Sequence, residues 1–357
     1  MERIAVRIRE IAGKITAMER QRKKLAEFLT DIGPVLEFVL KPEPANLGGI
    51  RIAGIDGGLA KRSFHGFDCV LTRSVAACFY YKNNRVQKVD YLPSKIPAIQ
   101  PDVIEALTDI DWAYHSSIFR MKSEVSRALD SIDKFHPDLL LMDGSIVPHH
   151  SDKPSGSSPV YSEFMEMLRL YEKLYSKCSE EGILLSGVIE DSRGAMFCKM
   201  IAEKILSSLK HPAAREMQAL LSVTRDTNLL YYVLKKGDMT RVFPYSQKPS
   251  EHPVIREMQG NFAGKLHSFY LKTAEKDRPV RVDFLSGTPE ETGRKIASIL
   301  IPISGHHSGY GLPAPLIEAD NVAKIPETEM ENFYMSVLGL TGNISSMMRL
   351  RRDQRPF

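Results

Sequence analysis

Long apolar runs are missing from this 357-residue chain. No stretch approaches ~18 uninterrupted apolar residues, and the N-terminus opens Met-Glu-Arg-Ile without an apolar signal core. Membrane spanning and secretion are therefore not expected, and the chain reads as soluble and cytoplasmic. Cysteine is scarce as well. Cys69, Cys78, Cys178 and Cys198 form no CxxC pair and no metal-finger spacing, which argues against zinc and for buried thiols in a reducing setting. Neither sign of charge dominates: 48 Lys and Arg against 44 Asp and Glu give a formal net charge of +4, which permits a polyanionic partner without demanding one. There is no internal repeat and no Walker A sequence, since Gly260-Asn-Phe-Ala-Gly264-Lys265 has one residue too few between its glycines. Any ATP-driven movement must come from a partner.

What the chain does have is a repeated local grammar. Arg51 to Gly58 is an apolar, strand-like run that ends on Asp56 followed by two glycines, and Leu139 to Ser145 closes another buried-looking strand with Asp143-Gly144. Strands deliver such side chains at fixed places, and glycines allow a phosphate-bearing ligand to approach the backbone. Two strands ending alike suggest one shared site.

In chain order, Ile4, Ile8, Ile11, Ile15, Met18, Leu25 and Leu29 form a heptad-like stripe with Arg22 at one seam position. The stripe fits a helix packed on its own domain or one that meets a second subunit. Pro34 and the Lys-Pro-Glu-Pro segment end it. The 51–58, 70–81 and 85–91 runs predict an antiparallel meander, with a basic turn of Lys61, Arg62 and His65 after the first run. A helix over 110–135, the Asp143 strand, a helix over 159–180 and a strand over 183–189 follow. A late helix begins near Pro315 and carries Glu318 and Asp320, and the last segment is helical and ends in Arg349, Arg351, Arg352 and Arg355. This order predicts an α/β chain with an RNase H-like mixed sheet flanked by helices. The expected division is a helical segment over 1–45, an RNase H-like domain over 46–330 with insertions, and a basic helical tail over 331–357.

Asp56, Glu124, Asp143 and Asp320 would then converge from two strand ends and two helices. Carboxylates crowded together repel unless a cation neutralises them. All-oxygen ligation favours Mn²⁺ or Mg²⁺, and two such ions could activate a water and stabilise the leaving oxygen in phosphodiester cleavage.

Four motifs, Ala-Gly-Ile-Asp-Gly-Gly at 53–58, Leu-Met-Asp-Gly-Ser at 141–145, Gly-Val-Ile-Glu-Asp-Ser-Arg at 187–193 and Leu-Pro-Ala-Pro-Leu-Ile-Glu-Ala-Asp at 312–320, together resemble the ordered motifs of the NurA nuclease family. The resemblance implies manganese-dependent cleavage of DNA, as 5′ to 3′ exonuclease and single-strand endonuclease. It also implies a homodimer coupled to the hexameric HerA helicase-translocase in end resection for double-strand-break repair. Carried over residue by residue, it assigns the metal-holding acids to Asp56, Asp143, Glu124 and Asp320. Two positions depart from the pattern. Glu190 stands where relatives often have a basic residue, with Lys199 or Arg193 as substitutes, and Leu312 replaces an aromatic, with Tyr310 nearby.

Other residues invite weighing. Lys61 and Arg62 suit phosphate contact or a solvated turn. His306-His307 and His149-His150 could touch phosphate, although loop histidines are commonly solvated. The arginine-rich end reads as a charged tail or a DNA contact. Met196, Phe197 and Met200 read as helix core, and Trp112 as packed or base-stacking. Two rival readings remain: an actin-like or sugar-kinase-like ATPase opening on Ile-Asp-Gly-Gly, which lacks the expected duplication, and a catalytically silent nucleic-acid-binding scaffold.

Overall fold

The computed structural model describes residues 2–342 and 344–350. After α1 (Glu2–Asp31) and the short β1 (Val39–Leu40), β2 (Arg51–Ser63), β3 (Phe67–Lys82) and β4 (Arg85–Leu92) form an antiparallel meander, and β5 (Gln100–Glu105) pairs with the first half of β3. Then α2 (Asp109–Phe135) leads to β6 (Leu139–Asp143), parallel to β2, and α3 (Tyr161–Glu181) leads to β7 (Leu184–Ile189), parallel to β6. The order β4-β3-β2-β6-β7 makes this an RNase H-like sheet, as expected. Beyond it come α4 (Met196–Ile201), α5 (Ala214–Val223) and α6 (Asp226–Val233), then β8 (Met239–Thr240), β9 (Phe243–Pro244), β10 (Leu266–Leu271) and β11 (Val280–Leu285), which extend the sheet to 11 strands. α7 (Pro289–Ile303), α8 (Ala314–Ala323) and α9 (Glu327–Thr341) complete the chain.

Two cores lie on opposite faces of the sheet. Ala53 and Ile55 of β2 point into one with α2 and α3, whereas Ile52, Leu139, Leu141 and Val188 point into the other with α7 and α8. With helices on both sides, the central parallel strand reads as an unbroken apolar run. All four cysteines are free and buried, and burial pushes the Cys178 thiol up to about 12. Phe197 and Met200 are core, as read. Among the described residues, no helix is long and apolar enough to cross a membrane.

Three features differ from the sequence reading. β2 runs on to Ser63, so Lys61 and Arg62 are strand residues rather than turn residues. β5 was hidden by Pro101, which an edge strand tolerates. The stripe of α1 is split: Leu25 and Leu29 are fully buried against α5 and α6, while Ile4, Ile8, Ile11, Ile15 and Met18 remain 47% to 66% exposed.

Candidate active site

The parallel register of β2 and β6 pairs Ile52 with Leu139 and Ile55 with Met142. One more step sets Asp56 beside Asp143. Val188 of β7 pairs with Asp143, and Glu190, two residues on, returns to the same face by strand alternation. The middle of β2 and the carboxyl ends of β6 and β7 thus place Asp56, Asp143 and Glu190 in a row on the face covered by α7 and α8.

Helix α8 brings the fourth acid. It lies directly on β2, because a Cβ at Gly54 or Gly58 would run into the backbone carbonyl of Pro315 or Ala323. Asp320, exposed on α8, thereby adds its charge to that of Asp56. Glu124 comes from the other side. It is buried on α2 and reaches across Gly57, whose missing side chain leaves room for it: a Cβ there would stand 2.5 Å from Glu124 Oε1. The glycines of β2, read from sequence as room for a ligand, are filled by the protein's own helix backbone and by Glu124.

The electrostatics follow from this crowding. Burial, with the charge of Asp320 added, pushes Asp56 up, against the pull of the Gly57 N–H that donates to its Oδ1 at 2.6 Å. Asp143 is pushed up to about 7 by burial, then by Asp56 and Glu190. Glu190 is also raised, by burial and by Asp191, Asp320 and Asp277, although Tyr310 donates its hydroxyl to Oε1 at 3.1 Å. Glu124 is held in an ion pair by Arg120, yet burial still lifts it to about 8. The field of Glu124, with smaller contributions from Asp56 and Asp143, raises Arg120 further despite its burial. Groups this perturbed, in one place, make this the candidate site.

Among the other residues weighed from sequence, Lys61 donates to Ser116 Oγ at 3.0 Å and sits 5.7 Å over the buried Trp112 ring. Arg62 is paired with Glu327 and, at 2.9 Å, with Glu331 of α9. Arg349 pairs with Glu331 and lies 4.5 Å over Tyr334, while Arg351, Arg352 and Arg355 lie outside the described residues. His306 and His307 are exposed on a turn where His307 Nδ1 accepts the Gly309 N–H at 3.2 Å. Lys199 is exposed on α4. Arg193, His149 and His150 line a cleft of about 480 Å³ with His252, Tyr245 and Arg281. Sequence reasoning missed Arg120 as the counter-charge and did not count Glu190 among the acids. The signal for Glu190 was present: like Asp56 and Asp143, it directly follows an apolar run in the sequence.

A family model described as the NurA domain matches residues 50–325. The chain belongs to the NurA family. Its structure is similar to the crystal structure of the NurA nuclease from Sulfolobus solfataricus, with TM-score 0.57 and 18% identity over 98% of this chain and 99% of that one. It is also similar to a second crystal structure of NurA, with TM-score 0.54 and 10% identity over 94% and 98% of the two chains. At such identities the likeness speaks for the fold that this NurA-family chain shares with them. No curated protein matches it in sequence.

Proposed function

We propose that this NurA-family chain is a divalent-metal-dependent DNA nuclease whose reaction centre is the row Asp56, Asp143 and Asp320. The observation that carries the reading is the row itself: Asp143 on the neighbouring strand and Asp320 on a helix bear on Asp56 with like charge, on a side of the sheet where no Lys or Arg pairs with the three among the described residues. Arg120, the nearby cation, is engaged by Glu124 from the opposite side.

The donor set fits a hard cation: oxygen ligands whose raised proton affinity reports mutual repulsion that an added positive charge relieves. Among the described residues, no three acidic, His or Cys side chains are already closed on a common point. Asp56 and Asp143 would hold manganese, or magnesium in its stead, with Asp320 turning in from its exposed position. Two bound ions would supply a more acidic water and positive charge at the leaving oxygen. The protein's own part is positional. Gly57 N–H orients the Asp56 carboxylate, Arg120 fixes Glu124 beneath it, and Tyr310 keeps Glu190 turned along the row.

The finer activities rest on the family resemblance: 5′ to 3′ exonuclease and single-strand endonuclease action, with a hexameric HerA-type translocase supplying movement during end resection. A homodimer is supported by the exposed stripe of α1, since each large aliphatic side chain withdrawn from water contributes about 1.5–3 kcal/mol. Glu124 as a metal ligand, and Lys61, Arg62, Arg193, Tyr310 and His307 as DNA contacts, belong to the same proposal. Arg193 is the best placed of these, because it is exposed and makes no ion pair among the described residues. The test is cleavage of single- and double-stranded DNA with Mn²⁺, Mg²⁺ or EDTA. Asp56→Asn and Asp143→Asn should each abolish metal-dependent cleavage while DNA binding persists. A wild-type protein that binds DNA and cuts none with either metal would instead be the silent scaffold.

A further inference from the structure

Apart from Arg193 on its wall, the histidine-lined cleft has no part in the function proposed above. It lies at the same strand ends but on the opposite face, lined by Ser145 and Asp191, close chain neighbours of Asp143 and Glu190. Its cationic and imidazole groups come from separate segments: His149 and His150 from the loop after β6, Arg193 from the loop after β7, His252 from the loop before β10, and Arg281 from β11. Of the acids on its wall, Asp283 is already met by Arg281 at 2.7 Å, Ser145 at 2.7 Å and Ser268 at 2.6 Å.

The hydrogen bonds settle what the imidazoles offer. His252 Nδ1 accepts the backbone N–H groups of Val254 and Ile255 at 3.3 and 3.2 Å. His149 Nδ1 accepts from Ser151, at 3.3 Å from its N–H and 2.7 Å from its hydroxyl. A ring nitrogen that accepts carries no proton, so the neutral ring carries it on Nε2. Both rings therefore offer an N–H donor rather than a lone pair, which suits an anion and not a metal ion. The rings also crowd: those of His149 and His150 stand 4.1 Å apart. Burial and the neighbouring imidazoles lower His149 and His252, which keeps both rings in the neutral Nε2–H form that donates to an anion.

We infer that this cleft is a phosphate-binding subsite, in which His149, His252, Arg193 and Arg281 hold a phosphate group of the nucleic-acid strand next to the one being cut. The inference rests on the nuclease reading and extends it to a second phosphate. That phosphate is either the terminal group of a strand or an in-chain diester, and both present the same anionic oxygens to N–H donors.

The test uses His149→Asn and His252→Asn, which keep an acceptor where Nδ1 stands and remove the Nε2 donor, with exposed Arg193→Gln as a variant that leaves the loop bonds untouched. Binding of 5′-phosphorylated, 3′-phosphorylated and unphosphorylated single-stranded DNA is measured in EDTA, so that cleavage plays no part. Each variant should lose about tenfold in affinity with an unchanged melting temperature. Loss confined to an end-phosphorylated strand assigns a terminal phosphate, and equal loss for all three assigns an in-chain one. Variants that melt like wild type and bind all three strands equally well overturn the site. Wild-type protein that shows the phosphate-dependent binding but cleaves nothing with Mn²⁺ overturns the nuclease reading and leaves the cleft standing.

Discussion

Strands β2 and β3 carry a charged cluster at each of two places, and the two are built oppositely. Near Ser63, Arg62, Arg73 and Arg349 meet Glu327, Glu329 and Glu331 of α9, so that each sign is neutralised within the chain. Around Asp56 the acids face acids: Asp56 and Glu190 raise Asp143, Asp320 raises Asp56 and Glu190, and Glu124 and Arg120 pair behind them. A charge cluster that completes itself stabilises a fold modestly. One that is left with a single sign destabilises it until something arrives from solution.

The comparison breaks first at Asp56. Its replacement by Asn should lower metal-dependent cleavage by roughly a thousandfold, ~4 kcal/mol of transition-state stabilisation. The same change should raise the melting temperature of the metal-free protein. A variant that loses stability instead would show the row to be structural. Next, Arg120→Met leaves Glu124 buried without its partner and should cost about 3 kcal/mol in denaturant unfolding. Adding Glu124→Gln should recover most of that cost, and failure to recover it would detach Arg120 from Glu124.

The pH dependence is a smaller and sharper test. Asp143 and Glu124 are raised, to about 7 and about 8. A carboxyl held above its ordinary value contributes stability that is present at low pH and is lost as pH rises through the folded value. The metal-free protein should therefore lose several degrees of melting temperature between about pH 6 and about pH 9, and Mn²⁺ should remove most of that slope. Thermal scans across pH with and without the ion decide it; parallel slopes would contradict the reading. The smallest effect is expected at the self-completed cluster. Glu331→Gln should cost about 0.5–1 kcal/mol, because its partners Arg62 and Arg349 are near the surface, and cleavage should be unchanged.

Much of this was legible before any coordinates. The meander, the two parallel strands and α8 follow from apolar periodicity and Pro–Gly punctuation, and the like charges of Asp143 and Asp320 both reach Asp56. Asp56 and Asp143 could be recognised because an acid that directly follows an apolar run of strand residues has little else to do there. Glu190 sits in the same context, but was read against an expected basic residue and so set aside. Pairing across distant segments was not legible. Nothing local in the sequence says that Arg62 finds Glu327 and Glu331 some 265 positions later, or that His252 comes beside His149. The split of the α1 stripe was hidden for a different reason: periodicity shows that a face is apolar, and only tertiary packing decides how much of it is covered.

Gly54 and Gly58 hold the last consequence. Because α8 rests backbone to backbone on β2 at both positions, the gap between helix and strand is set by the absence of two methyl groups. Alanine at either place would act as a shim, tilting α8 and carrying Asp320 away from Asp56. The acidic row could thus be dismantled with every carboxylate still in the chain.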